Sequence, residues 1–176
     1  MATTPTYGWP YQSLSDPPDG PNLGEDLALA IEATVAALAA TVAAAAAATI
    51  ARVPVQATVA TSQTTVSGAY TDLATVGPAV TITTGTSALV TIGSAIQGSS
   101  SLLTCYMSWA VSGATTSAAV DARAVGIANQ QLIFASRVFL MTGLTPGSNT
   151  FTAKYKTSGG ATGTYTDRNM IVQAVN

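Results

Sequence analysis

Apolar positions follow a helical period in one part of the chain and an alternating period in the other, and the change falls near Val53. Between Asn22 and Arg52, the residues Ile31, Val35, Leu38, Val42, Ala45 and Thr49 recur in steps of four and three, with Ala28 extending the series backwards. That spacing is the seam of a coiled coil. Ala, the best helix former, fills most of the other positions and nothing after Gly24 breaks the pattern, so one helix of roughly eight turns is predicted over 22–52. Asn22 reads as its cap and Glu25 completes a capping box, while Glu25 and Asp26 suit the positive end of the dipole and Arg52 the negative end. Pro54 closes the helix. Because the seam tapers from Ile and Leu to Ala and Thr, a lone helix buries little on it, and copies of the same chain are the expected partners. The mixture of Ile31, Leu38 and Val leaves two and three strands both open, with a lean toward three.

From Val53 onward, alternation takes over. Strands are predicted at 53–60, 64–73, 79–84, 87–96, 102–111, 118–128, 131–142, 150–157 and 165–175. Gly77-Pro78, Gly85, Gly98, Gly113, Ala128-Asn129, Thr145 to Asn149 and Ser158 to Gly160 separate them. The fold class is therefore mainly β with an N-terminal α-helix: an antiparallel, jelly-roll-like sandwich over 53–176 on a coiled-coil-type stalk. Leu103, Cys105, Met107, Trp109 and Val111 share one face, as do Phe151, Ala153 and Tyr155, which leaves Thr150, Thr152, Lys154 and Lys156 for solvent. Leu132 to Phe134 and Val138 to Met141 are apolar on both faces, which predicts a strand covered on its outer side by a neighbouring subunit.

Residues 1–21 have five Pro, two Gly and the aromatics Tyr7, Trp9 and Tyr11. Pro at that density excludes helix and central strand, so an extended arm is expected. Tyr7, Trp9, Pro10 and Tyr11 read as anchors that dock into a partner; packing back on the helix of the same or a sister chain is the equal alternative. The arm has no basic residue and no apolar core, so it does not read as a signal peptide.

Composition narrows the functions. Only 8% of residues are charged, which suits a surface largely covered by partners. All six basic residues lie in 52–176, beside Asp72, Asp121 and Asp167, and no basic cluster suggests nucleic acid. Ala33 to Ala51 is uncharged, which raises a membrane span as a rival; but Ala and Thr gain little in lipid and neither an aromatic belt nor Lys flanks the stretch, so no span is expected. There is no His, and Cys105 stands alone among apolar neighbours as a small buried hydrophobe.

The opening YGWPYQSLSDPPDGPNLGEDLALAIEATVAAL resembles the N-termini of small virion proteins of tailed phages of actinobacteria, where a Pro-rich aromatic arm leads into an acidic-capped helix. TDLATVGPAVTITTG at 71–85, VSGATTSAAVDARAV at 111–125 and the segment from TGLTPGSNTFTAKYKTSGG to GTYTDRNMIV at 142–172 are similar to the carboxy-terminal β domain of some of those proteins. The family comprises minor tail or tail-fibre proteins, with similar layouts in head fibres and capsid decorations. The resemblance implies a homotrimer with a helical stalk and three jelly-roll-like domains, located at the virion surface with capsid or tail proteins as partners.

No catalytic residue, cofactor or metal ligand is expected. Ser and Thr have no partner His, and GxSxG, SxxK, P-loop and calcium-loop patterns are absent. Asp121 beside Arg123 and Asp167 beside Arg168 read as surface pairs, and Lys154, Lys156 and Arg168 as a weak basic patch or solvated strand faces. The alternative to a scaffold is a receptor- or host-glycan-binding module using loops that bear Tyr165, Asn149 or Gln130.

Overall fold

The computed structural model describes residues 2–3, 10–11, 20–50 and 52–175, with helix side chains described at 22 and 24–45. The chain divides into two compact units, Met1–Ile50 and Ala51–Asn176. In the first, β1 (Ala2–Thr3) pairs antiparallel with β2 (Pro10–Tyr11), and β2 runs close to α1 (Gly20–Ile50). The helix starts two residues before the predicted boundary. Asn22 therefore lies inside the first turn and not at its cap, and Pro21 takes a place where a backbone N–H has no intrahelical partner anyway. Glu25 and Asp26 fall beyond the first turn, and Arg52 follows the last. The hydroxyls of Thr34 and Thr41 donate to the Ala30 and Ala37 carbonyls one turn back, at 2.8 and 2.9 Å, so these Thr present mainly methyl groups outward.

The second unit is a sandwich-like arrangement of two antiparallel sheets. Its strands are β3 (Val55–Val59), β4 (Gln63–Thr65), β5 (Ala79–Thr84), β6 (Ser87–Gly98), β7 (Cys105–Gly113), β8 (Val125–Ile127), β9 (Ile133–Thr142), β10 (Gly147–Thr157) and β11 (Gly163–Val175). One sheet runs β3-β11-β6-β9, with β4 also on β11; the other runs β5-β10-β7-β8. Both sheets feed one core: Val90, Ile92, Ile96, Tyr165, Met170 and Val172 from the first, and Val80, Met107, Trp109, Phe151 and Tyr155 from the second. Two aromatic pairs bridge the sheets. Trp109 meets Phe139 edge-on at 5.9 Å, and Tyr155 tilts against Tyr165 at 4.8 Å.

Of the expected inward faces of β7 and β10, Cys105, Met107, Trp109, Val111, Phe151, Ala153 and Tyr155 are buried, whereas Leu103 lies before β7 and is half-buried. Two predicted strands shrink. Of 64–73 only the start is strand, and the rest is a loop that rejoins the sheet at one Thr71–Tyr155 bridge. Of 118–128 only Val125–Ile127 is strand, preceded by a short 3-10 turn at Asp121–Arg123. Thr and Val at these positions carry β propensity, but the first segment meets β10 only at the single Thr71–Tyr155 bridge.

A bulge in β11 reorders one face. Between the pairs Thr166–Ala95 and Asn169–Gly93, Asp167 and Arg168 together oppose Ser94, and Asp167 adopts a φ of 52°. The extra residue shifts the alternation, so Arg168 follows Tyr165 into the interior. Gly113 ends β7 at a φ of 104°, where a Cβ would overlap the Ser148 carbonyl oxygen; only Gly fits that crossing.

Candidate interaction surfaces

The helix presents an apolar row that is exposed among the described residues. Val35, Leu38 and Val42 are 59, 63 and 59% exposed, Ile31 is also exposed, and so is Ala45; the Thr49 side chain lies outside the described residues. Among described helix side chains only Leu27 and Ala30 are half-buried. Gly24–Ala45, at a mean hydropathy of 2.0, is also long and apolar enough to cross a membrane. Of the expected anchors, Tyr7 and Trp9 lie outside the described residues, and Pro10 and Tyr11 are described only as the backbone of β2.

A second apolar surface lies on β9, the edge of its sheet. Phe134, Val138 and Leu140 point outward at 73, 58 and 52% exposure. They lie opposite Ala95, Thr91 and Leu89 of β6, and the intervening Ser136–Gly93 pair brings no charge either. The sequence pattern predicted an apolar outer side here; within one chain that side is open to solvent.

The charged groups are arranged differently from their order in the sequence. Asp121 does not pair with Arg123. Its carboxylate lies 2.7 Å from Lys156 Nζ and accepts a hydrogen bond from the Tyr70 hydroxyl at 2.9 Å. Lys156 in turn sits between the Tyr70 and Tyr106 rings, 4.9 and 4.8 Å from their centroids. Lys154 makes the matching pair with Asp72 at 2.7 Å. The two lysines are thus neutralised and form no basic patch. Nor does Arg168 pair with Asp167: it is fully buried, over the Tyr155 ring at 5.4 Å. Its Nη1 donates to the Thr75 and Gly77 carbonyls and its Nη2 to the Thr61 carbonyl and Gln63 Oε1.

Hydrogen bonds from Lys156 and Tyr70 hold the Asp121 carboxyl below its usual range, whereas burial and the neighbouring Asp121 push the Tyr70 phenol up. Asp121 therefore favours the folded state when ionised. That contribution is fully present above the ordinary carboxylate value, about 3.9, and is lost as pH falls through the lower folded value. The acid side of a melting-temperature profile is expected to fall less steeply for Asp121→Asn than for the parent below about pH 4. Superimposable slopes in thermal melts from pH 7 to pH 2 would contradict the pairing.

The loop residues considered for ligand contact are structural. Tyr165 is buried and its hydroxyl lies 2.8 Å from the Lys156 carbonyl. Asn149 is buried too, accepting from Thr115 N at 2.7 Å and donating to Thr84 Oγ1 at 2.8 Å. Gln130 is exposed, with its amide on the Ser99 carbonyl. Burial pushes the Cys105 thiol up, away from the thiolate a nucleophile requires. Among the described residues no group of three or more His, Cys, Asp or Glu could hold a metal. Asp121 faces Lys156 and the Tyr70 hydroxyl, which is not the environment of a protonated general acid.

Residue order did not disclose Arg123. It is 6% exposed, lies 5.3 Å over the Trp109 ring, and lines an open cleft with Thr115, Thr116, Ser117, Phe139 and Met141. A lone Arg in a stretch of Ala, Val and Thr was its one sequence signal.

No protein-family model and no curated protein matches the chain. Among solved structures, a chain of the infectious bursal disease virus Gx strain is similar at a TM-score of 0.45 and 16% identity, over 69% of this chain and 32% of that one. A chain of Bacillus endospore appendages, which form disulfide-linked pili, is similar at 0.32 and 15%, over 70% of this chain and 89% of that one. A family two carbohydrate esterase from Cellvibrio japonicus is similar at 0.28 and 10%, over 70% of this chain and 35% of that one. The chain spans about a third of the length of the viral chain it matches.

Proposed function

We propose that the chain is a non-enzymatic structural component of a phage virion. In this reading it is a homotrimer at the particle surface, of the minor-tail, short-fibre or capsid-decoration kind. Residues 1–21 anchor it to capsid or tail proteins, the helix joins three copies, and the β unit is displayed. The observation that carries the reading is the exposed seam: Ile31, Val35, Leu38 and Val42 hold coiled-coil spacing on a helix whose own chain leaves them in water. Large apolar side chains in such a row imply a partner with the same row.

Three further features support it. Leaving the short β4 aside, the strands in chain order fill the sheets as first-eighth-third-sixth and second-seventh-fourth-fifth, which is jelly-roll order, and jelly rolls recur in viral capsid and lectin domains. The outer side of β9 carries the exposed apolar row Phe134, Val138 and Leu140, as suits a subunit packed among others. The arm and β segments carry the sequence resemblance to phage virion proteins described above. A host-glycan-binding role on the same particle is the second reading, and the cleft beside Arg123 favours it.

The arm is tested on particles. Replacing Trp9 and Tyr11 together by Ala is expected to abolish incorporation while the β unit keeps its circular-dichroism spectrum and melting temperature. Particles carrying the double variant at normal occupancy would contradict the anchoring role.

A further inference from the structure

Arg123 is a buried cation whose hydrogen-bond partners are all neutral. Its Nη2 donates to the Trp109 carbonyl at 3.3 Å and to the Ala118 carbonyl, and its Nη1 donates to Ser117 Oγ at 3.1 Å. Nη1 also faces the Met141 sulfur at 3.7 Å, and Nε has no acceptor. The nearest acid in sequence, Asp121, is taken by Lys156 and Tyr70. A guanidinium in a poorly solvated place without a counter-ion sets up a positive potential that nothing else in the cleft lining offsets, since no carboxylate lines it.

The cleft has the size and chemistry of a small-ligand site. Its volume is about 490 Å³, within the usual range of roughly 300–1,000 Å³. Ser117 and Met141, which receive the two Nη1 contacts, both line it, so the guanidinium edge is aimed at the cleft wall. A thioether is a weak acceptor, and a carboxylate oxygen would take over that Nη1 proton with a gain. Thr115 and Thr116 add hydroxyls to the lining, and the Phe139 ring adds an apolar surface. A pyranose needs both, because its edge presents hydroxyls and its face presents C–H groups.

We infer that this cleft binds a carboxylate-bearing saccharide, its carboxylate held by Arg123 and Ser117, its hydroxyls by Thr115 and Thr116, and its C–H face laid on Phe139. The site belongs to a single β unit, so it stands whether or not the helix joins three copies. Arg fits the task better than Lys, since its Nη1 meets a carboxylate while its Nη2 stays on the Trp109 and Ala118 carbonyls.

Trp109 reports on the site directly, because the Arg123 guanidinium lies over its ring. The full chain carrying Trp9→Phe, so that Trp109 is the remaining tryptophan, is titrated at constant ionic strength with sodium glucuronate, glucose and sodium sulfate. A saturable fluorescence change with glucuronate in the millimolar range is expected, with at least tenfold weaker responses to glucose and sulfate. Arg123→Gln is expected to abolish it. Because that residue also supports the fold, Thr116→Glu on the exposed rim is the independent variant: it places a negative charge at the mouth without disturbing the core, and binding is expected to weaken at least tenfold. No saturable response to glucuronate would overturn the inference. So would glucose binding as well, sulfate binding as well, or a Thr116→Glu chain that binds glucuronate like the parent.

Discussion

Leu38→Asp is expected to leave the chain monomeric, with a β unit that melts like the parent's. Leu38 occupies the middle of the seam and is 63% exposed in one chain, so its contribution comes from burial against copies. Burying a Leu side chain is worth roughly 1.5–3 kcal/mol per copy. An Asp there loses that term and adds a carboxylate without a partner, at a further cost of several kcal/mol per ion. Ile31, Val35 and Val42 cannot offset this, because a charge in each helix would meet its own kind in the same layer. Leu29→Asp is the control. Leu29 is 58% exposed but lies one residue off the extended seam that passes through Ala28, so assembly is expected to survive it. A helix held in lipid would resist charge at either position, whereas a seam distinguishes them. Equal effects of the two substitutions on native mass would therefore count against the coiled coil.

The second large effect falls within the β unit. Arg168→Met is expected to lower its stability by at least about 3 kcal/mol and to release the 60–78 segment. Arg168 is fully buried, and its two terminal nitrogens hold the carbonyls of Thr61, Thr75 and Gly77 together with the Gln63 amide oxygen. The Gly77 carbonyl would keep the Tyr155 hydroxyl, but Thr61, Gln63 and Thr75 each lose a part-buried bond from a charged donor, worth about 1.5–3 kcal/mol apiece, of which the apolar gain of Met recovers only part. Gln63 also holds Thr75 through both ends of its amide, at 2.8 and 3.1 Å, so the loop would loosen as a unit. Arg168→Lys is expected to rescue little, since a single ammonium cannot reproduce the fork. Hydrogen exchange is the direct measurement: protection lost over 60–78 ahead of β7 and β10 supports the account, and uniform loss across both sheets contradicts it.

The strand pattern was largely readable because β7 and β10 alternate cleanly. Cys105, Met107, Trp109 and Val111 face in, as do Phe151, Ala153 and Tyr155, and each run ends at a turn marked by Gly. The helix was readable for a different reason, the continuous run of Ala. What stayed hidden was what the arginines do. Asp121–Arg123 and Asp167–Arg168 look like local pairs, yet Asp121 and Arg123 lie on a 3-10 turn and not on a strand, and a single extra residue in β11 turns Arg168 inward. The acceptors of Arg168 lie between 91 and 107 residues away along the chain, a separation that no local pattern conveys. The same holds for Asn149 and Tyr165, whose polar ends looked available for a ligand but close hydrogen bonds inside the fold. Segments 66–73 and 118–124 were misread as strand because their Thr and Val content matches that of the true strands.

The native mass of the purified full chain, followed by light scattering or native mass spectrometry over a wide dilution series, tests the central claim most directly. The account predicts a mass of three chains of 17.6 kDa each that persists on dilution. Two chains would keep the seam and remove the trimer. A single chain at every concentration would contradict the assembly itself, because Val35, Leu38 and Val42 would then stand in water with no copy to cover them.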